Sequence, residues 1–426
     1  MLKSIELSNS KQKGFSEMRS CLKEPCPAEW PIAMSEQDSV IPETEDHRNL
    51  LVLLFAGFVL SGIATTIVGP MLPIFIKRWS LDDGQAGLFP MIQFLAAFGG
   101  SVGSGAIAAW RGSRPALVLG YALMGAGLAF LNADAYRVAL AATAAFGLGY
   151  GLITPGTNLF VAELGGAKSA SLLNQLNFAW GAGAMACSAL MALAVKRNGL
   201  NLLLTGTAIF GGVLVLGLLF VSFSEQKHEK HVSTAGAPSP VIGLRVTIAL
   251  AAMFFIYVAM ENGIGIWSAE YAKRLASEIT GMTTLAPMFF YAGLTFGRAA
   301  APLVLRKQSE RKIVLGALGL AAAGTTLLIT SSALKIAIVA VFLAGLGCAS
   351  VYPIYIAWLA RWYGARAKTI GGVLFALASL GGSVGPWLVG SVSKFSGNLR
   401  VGLLMPLLCA LIMIGLVLLL RRQTAA

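Results

Sequence analysis

Long apolar stretches separated by short polar segments make up the chain from Leu50 onward. Twelve of these stretches are about 18 or more residues long, the length that is typical of a membrane-spanning helix. A helix is also the element that satisfies its own backbone hydrogen bonds in lipid. The pattern therefore predicts an all-α integral membrane protein with twelve transmembrane helices. These spans are expected at residues 50–76, 84–109, 115–132, 136–163, 169–195, 200–224, 244–269, 281–306, 311–330, 334–360, 368–393 and 399–420.

The segments outside the spans are polar. Residues 1–49 lack the apolar core of a signal peptide and are expected to form a disordered cytoplasmic tail. Residues 225–243, between spans 6 and 7, have the composition of a cytoplasmic linker, and residues 421–426 form a short basic tail. Met34 is a second possible start, which leaves open whether residues 1–33 belong to the native protein.

A repeat relates the first six spans to the last six. The motif GLG occurs at 147–149 in span 4 and again at 345–347 in span 10, which is 198 residues later (345 − 147). At the same offset, Gly183 of span 5 corresponds to Gly381 of span 11. Internal repeats of this kind are common in transporters. We therefore predict two homologous six-helix halves, at residues 50–224 and 244–420.

Composition narrows the class further. The chain is 56% hydrophobic and 12% charged, whereas soluble domains carry about 25% charged residues. The net charge of +13 comes from Lys and Arg at the ends of spans, which favours contact with lipid headgroups over nucleic acid. Lys and Arg are more numerous in the loops that are cytoplasmic if both termini are inside. We predict a multi-pass protein of a bacterial inner membrane with both termini in the cytoplasm.

Enzymatic chemistry has no candidate residues. The five cysteines form no recognisable metal-binding pattern, and the three histidines all lie outside the spans. The sequence also contains no nucleotide-binding loop and no extramembrane domain. We predict neither an enzyme nor a requirement for a cofactor or metal.

The loop between spans 2 and 3 resembles the signature of the major facilitator superfamily. It reads GAIAAWRGSRP, in which Gly105, Gly112 and Arg114 fit the signature, whereas Ala109 and Trp110 replace its Asp and one Arg. The resemblance implies alternating access between two six-helix halves. It also implies a gating role for Arg114, whereas Ala109 and Trp110 lack the charges of the family's usual contact between the halves.

Three further stretches are similar to the fucose permease (fucose–galactose–glucose) group of that superfamily. They are YVAMENGIGIWSAEYA (257–272), YPIYIAWL (352–359) and LNQLNFAWGAGA (173–184). This resemblance implies a sugar as the solute. Proton-coupled members of the group tend to have acids in spans 1 and 4. This chain has Thr65, Thr66 and Thr154 instead and so departs from that pattern.

Glu261 is the acidic residue placed well inside a span. A carboxylate at that depth costs at least ~2.5–3.5 kcal/mol and should face water or a partner. Two interpretations stand: a structural carboxyl that joins span 7 to a neighbour, or a site for substrate hydroxyls or a coupling proton. We expect Glu261 in the outer half of span 7. We expect Arg298 to lie roughly 13 Å from Glu261 in depth, which is too far for an ion pair. Arg298 is then expected to be a gating or structural charge.

Amide and aromatic side chains complete the predicted site. Amides pair with sugar hydroxyls, and an indole offers a stacking surface to a pyranose ring. Gln93 could equally serve as a contact between helices. The predicted substrate-binding residues are Gln93, Asn177, Trp180, Tyr257, Glu261, Asn262, Trp267 and Tyr352.

These observations predict a monomeric secondary active transporter for a small polar solute, a sugar. Symport with a proton or sodium would use Glu261 as the coupling residue. Two alternatives stay open. One is an exporter of drugs or amphiphiles from the same superfamily, and the other is a sugar uniporter.

Overall fold

A computed structural model describes residues 45–165, 169–221, 243–306 and 308–420, and they form a bundle of helices. The predicted tail up to residue 44, most of the predicted linker and the C-terminal tail lie outside these residues. Eleven stretches of the described part have the length and hydropathy of a membrane span. Ala286–Leu305 packs among them as span 8, so the predicted twelve-helix fold is confirmed.

The helices of the twelve spans have the following bounds, in chain order: Glu45–Thr66 with Val68–Trp79, Asp83–Ala86 with Leu88–Arg111, Ser113–Phe130, Tyr136–Gly165, Ser169–Lys196, Leu200–Phe220, Leu244–Ala276, Gly281–Thr284 with Ala286–Leu305, Glu310–Thr330, Leu334–Cys348 with Val351–Tyr363, Ala367–Ser396, and Leu399–Gly402 with Leu404–Leu420. We call the membrane side at which span 1 begins and span 12 ends the terminal side. The other is called the opposite side.

Spans 2 and 8 begin with the same kind of cap. The Asp82 side chain accepts from the Gln85 N–H at 2.8 Å, and the Gln85 side chain accepts from the Asp82 N–H at 3.1 Å. Thr280 and Thr283 make the equivalent pair of bonds, 198 residues later in the chain (280 − 82). Such a capping box satisfies two of the backbone donors that a helix start leaves free. The repeat therefore includes the local signals that start a helix.

Glycines bring the helices of each half into backbone contact. A Cβ on Gly147 of span 4 would fall on the carbonyl oxygen of Gln93 in span 2, and one on Gly345 of span 10 would fall on that of Phe290 in span 8. Small residues allow this close approach between membrane helices. The predicted repeat thus places its glycines at equivalent crossings, which supports the two homologous halves.

Spans 5 and 11 make a second pair of equivalent crossings. Gly183 meets the backbone of Val59 in span 1, and Gly381 meets the backbone of Phe255 in span 7. Since a side chain at either position would have to displace main chain, each half is built as one closely packed unit.

The two halves meet from mid-membrane to the opposite side. Gly69 of span 1 packs on Ile266 of span 7, and Ser383 of span 11 donates to the Met91 carbonyl of span 2 at 2.8 Å. Towards the terminal side, Asn177 of span 5 is exposed. The conformation is therefore closed at the opposite side and open at the terminal side.

Span 7 is longer than predicted. The helix continues to Ala276 rather than ending at residue 269, so Glu261 lies near its middle and not in its outer half. The added turns carry Glu270, which pairs with both Lys273 and Arg274. Hydropathy alone ended the span too early because this pairing lets a charged stretch remain helical.

Gly345→Val is expected to destabilise the protein by about 1–3 kcal/mol or more, as overpacking of a tight core does, since its Cβ would overlap the Phe290 carbonyl. The thermal unfolding midpoint of the detergent-purified protein measures the effect. Gly316→Val is the matched control, because a Cβ at Gly316 meets nothing within 4 Å. Equal losses in the two variants would contradict the crossing as the cause.

Candidate functional site

Glu261 faces the space between the two halves. Its side chain is partly exposed, and its carboxylate interacts electrostatically with Tyr150 of span 4, Tyr291 of span 8 and Tyr352 of span 10. These residues belong to both halves, so the exposed part of Glu261 opens onto the interior and not onto lipid. That placement satisfies the requirement that a mid-membrane carboxylate meet water or polar groups.

A layer of aromatic rings supports Glu261 from the C-terminal half. Tyr257 is buried, and its hydroxyl donates to the Cys348 carbonyl at 3.0 Å while also lying beside the Glu261 carboxylate. Its ring centroid is 5.5 Å from that of Tyr352. Tyr352 is partly exposed and reaches the interior, whereas the buried Tyr257 packs behind Tyr352.

Arg298 and Glu261 act on the same neighbouring residues. Both side chains act electrostatically on Tyr257, Cys348 and Tyr352, so they flank one group of residues. Among the described residues, no ion pair within 4.0 Å involves either of them. The Nε of Arg298 is buried and has no hydrogen-bond partner in the described part of the chain. The predicted separation of the two side chains in depth stays a prediction.

The N-terminal half contributes three uncharged residues, Thr65, Gln93 and Trp180, which we call the neutral wall. Gln93 is buried, and its Nε2 donates to the Thr65 carbonyl at 2.9 Å. The Trp180 indole donates to the Thr65 hydroxyl at 3.1 Å, and its ring meets Tyr291 edge-on at 6.0 Å. Thr65 therefore joins spans 1, 2 and 5. Gln93 therefore forms a contact between helices, which was one of its two predicted roles. Its buried Oε1 has no partner among the described residues.

Asn177 lies on the terminal side of this wall. Gly181, one turn further along span 5, packs against Thr295 of span 8, so Asn177 is placed on the same face, next to the opening. Its side chain is exposed, and its Nδ2 donates to the Leu173 carbonyl at 2.8 Å. This bond holds the amide in place in the opening.

Two predicted substrate contacts form hydrogen bonds within the C-terminal half. Trp267 is fully buried, and its indole donates to the Pro386 carbonyl of span 11 at 2.8 Å. Asn262 is partly buried and donates to the Val258 carbonyl of its own helix at 3.0 Å. In this conformation Trp267 joins spans 7 and 11, so it is not available to a solute.

Arg114 binds the end of span 6. Its guanidinium donates to the carbonyls of Leu218, at 2.9 Å, and Leu219, where a helix leaves carbonyl groups free. Arg311 of span 9 donates in the same manner to the Leu418 carbonyl of span 12 at 3.3 Å. These contacts lie within each half and join equivalent spans, 3 with 6 and 9 with 12. The predicted gating role of Arg114 therefore stays a prediction.

Sequence reasoning missed an ionic cluster that joins the halves at the opposite side. Arg274 of span 7 pairs with Asp83 at the start of span 2 and with Glu270 at 2.8 Å. Ser393 of span 11 donates to the second oxygen of Asp83. We call Asp83, Glu270, Arg274 and Ser393 the closure cluster. Charges near span ends usually face solvent, and only the fold shows that these meet.

Asp82 and Lys394 form an outer pair next to the closure cluster, 3.1 Å apart. Partial burial raises the pKa of the Asp82 carboxyl, but the Gln85 N–H and the Lys394 ammonium outweigh this effect, so the pKa lies below its usual value. A lowered folded pKa gives stability that is present above the unfolded pKa and lost only as the pH falls through the folded one.

The described residues contain no group of three or more His, Cys, Asp and Glu side chains that could hold a metal ion. A twelve-helix bundle of two equivalent halves, with polar residues of both halves around a mid-membrane carboxylate, defines a membrane transporter. The sequence model of the Major Facilitator Superfamily matches residues 54–335, which is more than half of the chain. The protein therefore belongs to the Major Facilitator Superfamily.

Solved structures share this fold. A D-xylose–proton symporter superposes with a TM-score of 0.71 at 16% identity, covering 86% of this chain and 97% of that one. The fucose–proton symporter FucP of E. coli has the same coverage and identity and a TM-score of 0.59. A bacterial homologue of the human lysosomal transporter Spinster, inward-facing and occupied, gives 0.69 at 15% identity, covering 89% and 97%. No curated protein sequence matches the chain.

Asp83→Asn is expected to open the opposite side, because it removes the charge that holds Arg274 of the other half. Hydrogen bonds to charged groups contribute about 1.5–3 kcal/mol, so the closed population should fall by at least about tenfold relative to the open one. Spin labels at the exposed positions Arg197 and Glu278 report the distance between the halves. The control is Glu310→Gln, which removes an ion pair with Arg361 inside one half. An unchanged distance distribution in Asp83→Asn would contradict this role.

Acidification from pH 7.5 to 5 is expected to leave the Asp82–Lys394 pair intact, since the carboxyl stays ionised well below that range. The same spin-label distance, measured in the wild-type protein, checks this expectation. Opening between pH 7.5 and 5 would show that another group controls the contact.

Proposed function

We propose that this protein is a secondary active transporter of a small hydroxylated solute, a sugar, and that Glu261 carries the coupling proton. The observation that supports it is the place of Glu261, which lies mid-membrane, partly exposed, between tyrosines of both halves. A carboxylate there is stable either hydrated or protonated. Alternating access exposes such a group to each side of the membrane in turn.

The residues around Glu261 suit sugar hydroxyls better than apolar or cationic compounds. Tyr352 and Asn177 offer polar atoms that both donate and accept. Trp180 and Tyr291 offer ring edges and faces of the kind on which a pyranose packs. Their mixture of neutral polar groups and aromatic surface favours a sugar over the amphiphile exporter.

Alternating access follows from the packing. Each half is held together by glycine crossings, whereas the closure cluster and the span 1–span 7 contact hold the halves together on one side only. We infer that the terminal side faces the cytoplasm of a bacterial inner membrane and that the conformation is inward-facing. The TM-score of 0.69 with an inward-facing neighbour, against 0.59 with FucP in the outward conformation, supports this assignment.

Two neighbours in the same fold are named as proton symporters of D-xylose and fucose, which supports a sugar and a proton. This chain has threonines in spans 1 and 4 where an acid was expected. Thr65 is bonded within the wall, and Thr154 donates to the Tyr150 carbonyl at 2.8 Å. Coupling is therefore assigned to Glu261 of span 7, in a monomeric carrier.

Glu261→Gln is expected to abolish proton-driven accumulation while retaining exchange, because an amide can still bind hydroxyls but cannot carry a proton. Proteoliposomes loaded with labelled monosaccharide measure exchange, and an imposed pH gradient measures accumulation. Glu278→Gln, at an exposed loop position, is the matched control and should keep both.

Loss of exchange together with accumulation would place Glu261 in solute binding and not in coupling. Full accumulation in Glu261→Gln would contradict the proposed proton site. Failure of the wild-type protein to take up any monosaccharide, with export of amphiphiles instead, would overturn the proposed function.

A further inference from the structure

Two ionisable side chains of opposite charge lie away from the span ends in the described part of the chain, Glu261 and Arg298. They share neighbours without touching, and the buried Nε of Arg298 has no partner among the described residues. A guanidinium stays protonated at every physiological pH. The charge of the site is therefore balanced only while Glu261 is ionised.

Protonation of Glu261 leaves Arg298 uncompensated. The groups that face Glu261 from the surrounding spans are otherwise neutral in their usual protonation state, namely Tyr150, Tyr257, Tyr291, Cys348 and Tyr352. A carrier that closes over a proton and a neutral sugar would enclose one net positive charge. Enclosing a net charge in a low-dielectric interior is costly.

A solute with one negative charge removes this cost. The empty site then holds Glu261 and Arg298 with opposite charges, and the loaded site holds a neutral Glu261 with Arg298 and the anion. Both forms are neutral overall, so both can pass through a closed state.

The surroundings of Arg298 suit a carboxylate. Tyr291, Thr295 and Arg298 follow i, i+4, i+7 spacing and so lie on one face of span 8. That face meets span 5 at Thr295 and Gly181, and Asn177 lies one turn towards the terminal side. An anion at Arg298 would thus be within the opening, with the aromatic side chains Trp180 and Tyr291 deeper inside.

Building on the proposed function, we propose that the solute is a sugar acid with a single carboxylate, bound through that carboxylate by Arg298 and carried with the proton on Glu261. A phosphorylated sugar fits less well. A phosphate monoester carries about −1.5 to −2 charges at pH 7, which one arginine and a neutral Glu261 would not balance.

Wild-type proteoliposomes test the charge balance directly. Labelled D-glucuronate, D-gluconate, D-glucose and glucose 6-phosphate are offered under a pH gradient, or under a potassium-diffusion potential without one. We expect the two sugar acids to accumulate with the pH gradient and to be insensitive to the potential, since a proton and a monoanion move together. D-Glucose and glucose 6-phosphate should accumulate at least about tenfold less.

Variants then assign the anion to Arg298. Arg298→Gln should raise the concentration for half-maximal sugar-acid exchange by at least about tenfold, the effect of losing a charged hydrogen bond. Arg298→Lys keeps the charge and should recover part of the affinity. Arg245→Gln, at an exposed position on the terminal side of span 7, is the matched control and should behave as wild type.

Accumulation of D-glucose driven by the potential, with no uptake of either acid, would overturn the anion proposal and leave the proposed sugar transport standing. Preference for glucose 6-phosphate would also overturn it. Uptake of none of these compounds would instead count against the proposed function. Since these outcomes come from the wild-type protein, they hold even if Arg298→Gln fails to fold.

Discussion

The contact between a glycine and the carbonyl of the next helix is the interaction on which the rest of this structure depends. In lipid there is no hydrophobic force that pushes two apolar helices together, so close packing must hold them. Gly147, Gly183, Gly345 and Gly381 remove the side chains that would separate the backbones. Two rigid halves result, and movement is confined to the surface between them.

That surface combines helix packing with polar and ionic contacts. Apart from the backbone approach of span 1 to span 7, the closure cluster supplies the charges that join the halves at the opposite side. Ionic contacts at a hydrated surface are modest in energy, and they can break without exposing apolar core. A carrier needs such an interface, since it must separate and re-form in every cycle.

The regular parts of the molecule were predictable because they depend on local pattern. Hydropathy predicted the twelve spans, and the 198-residue repeat predicted which glycines would occupy equivalent crossings. Side-chain direction was harder. Trp267 lies in a stretch that resembles a sugar transporter, yet the tilt and rotation of span 7 point its indole at Pro386, and no single-sequence signal gives that rotation.

Long-range pairings were also out of reach. Asp83 and Arg274 are almost two hundred residues apart, and each lies among other charges near a span end, where solvent exposure is the expected state. Tyr150 and Tyr291 read as ordinary aromatic residues of apolar helices. They become part of the candidate site only because the Glu261 carboxylate, near the middle of its helix, interacts electrostatically with both.

Glu261 and Arg298 both belong to the C-terminal half. The neutral wall of the N-terminal half, formed by Thr65, Gln93 and Trp180, carries no charge. When the halves rock, the separation between the two charges therefore stays constant. What changes around them is hydration, as water enters from one side and then from the other. The mechanical cycle can thus act on a proton through the dielectric environment alone, with no ion pair to pull apart.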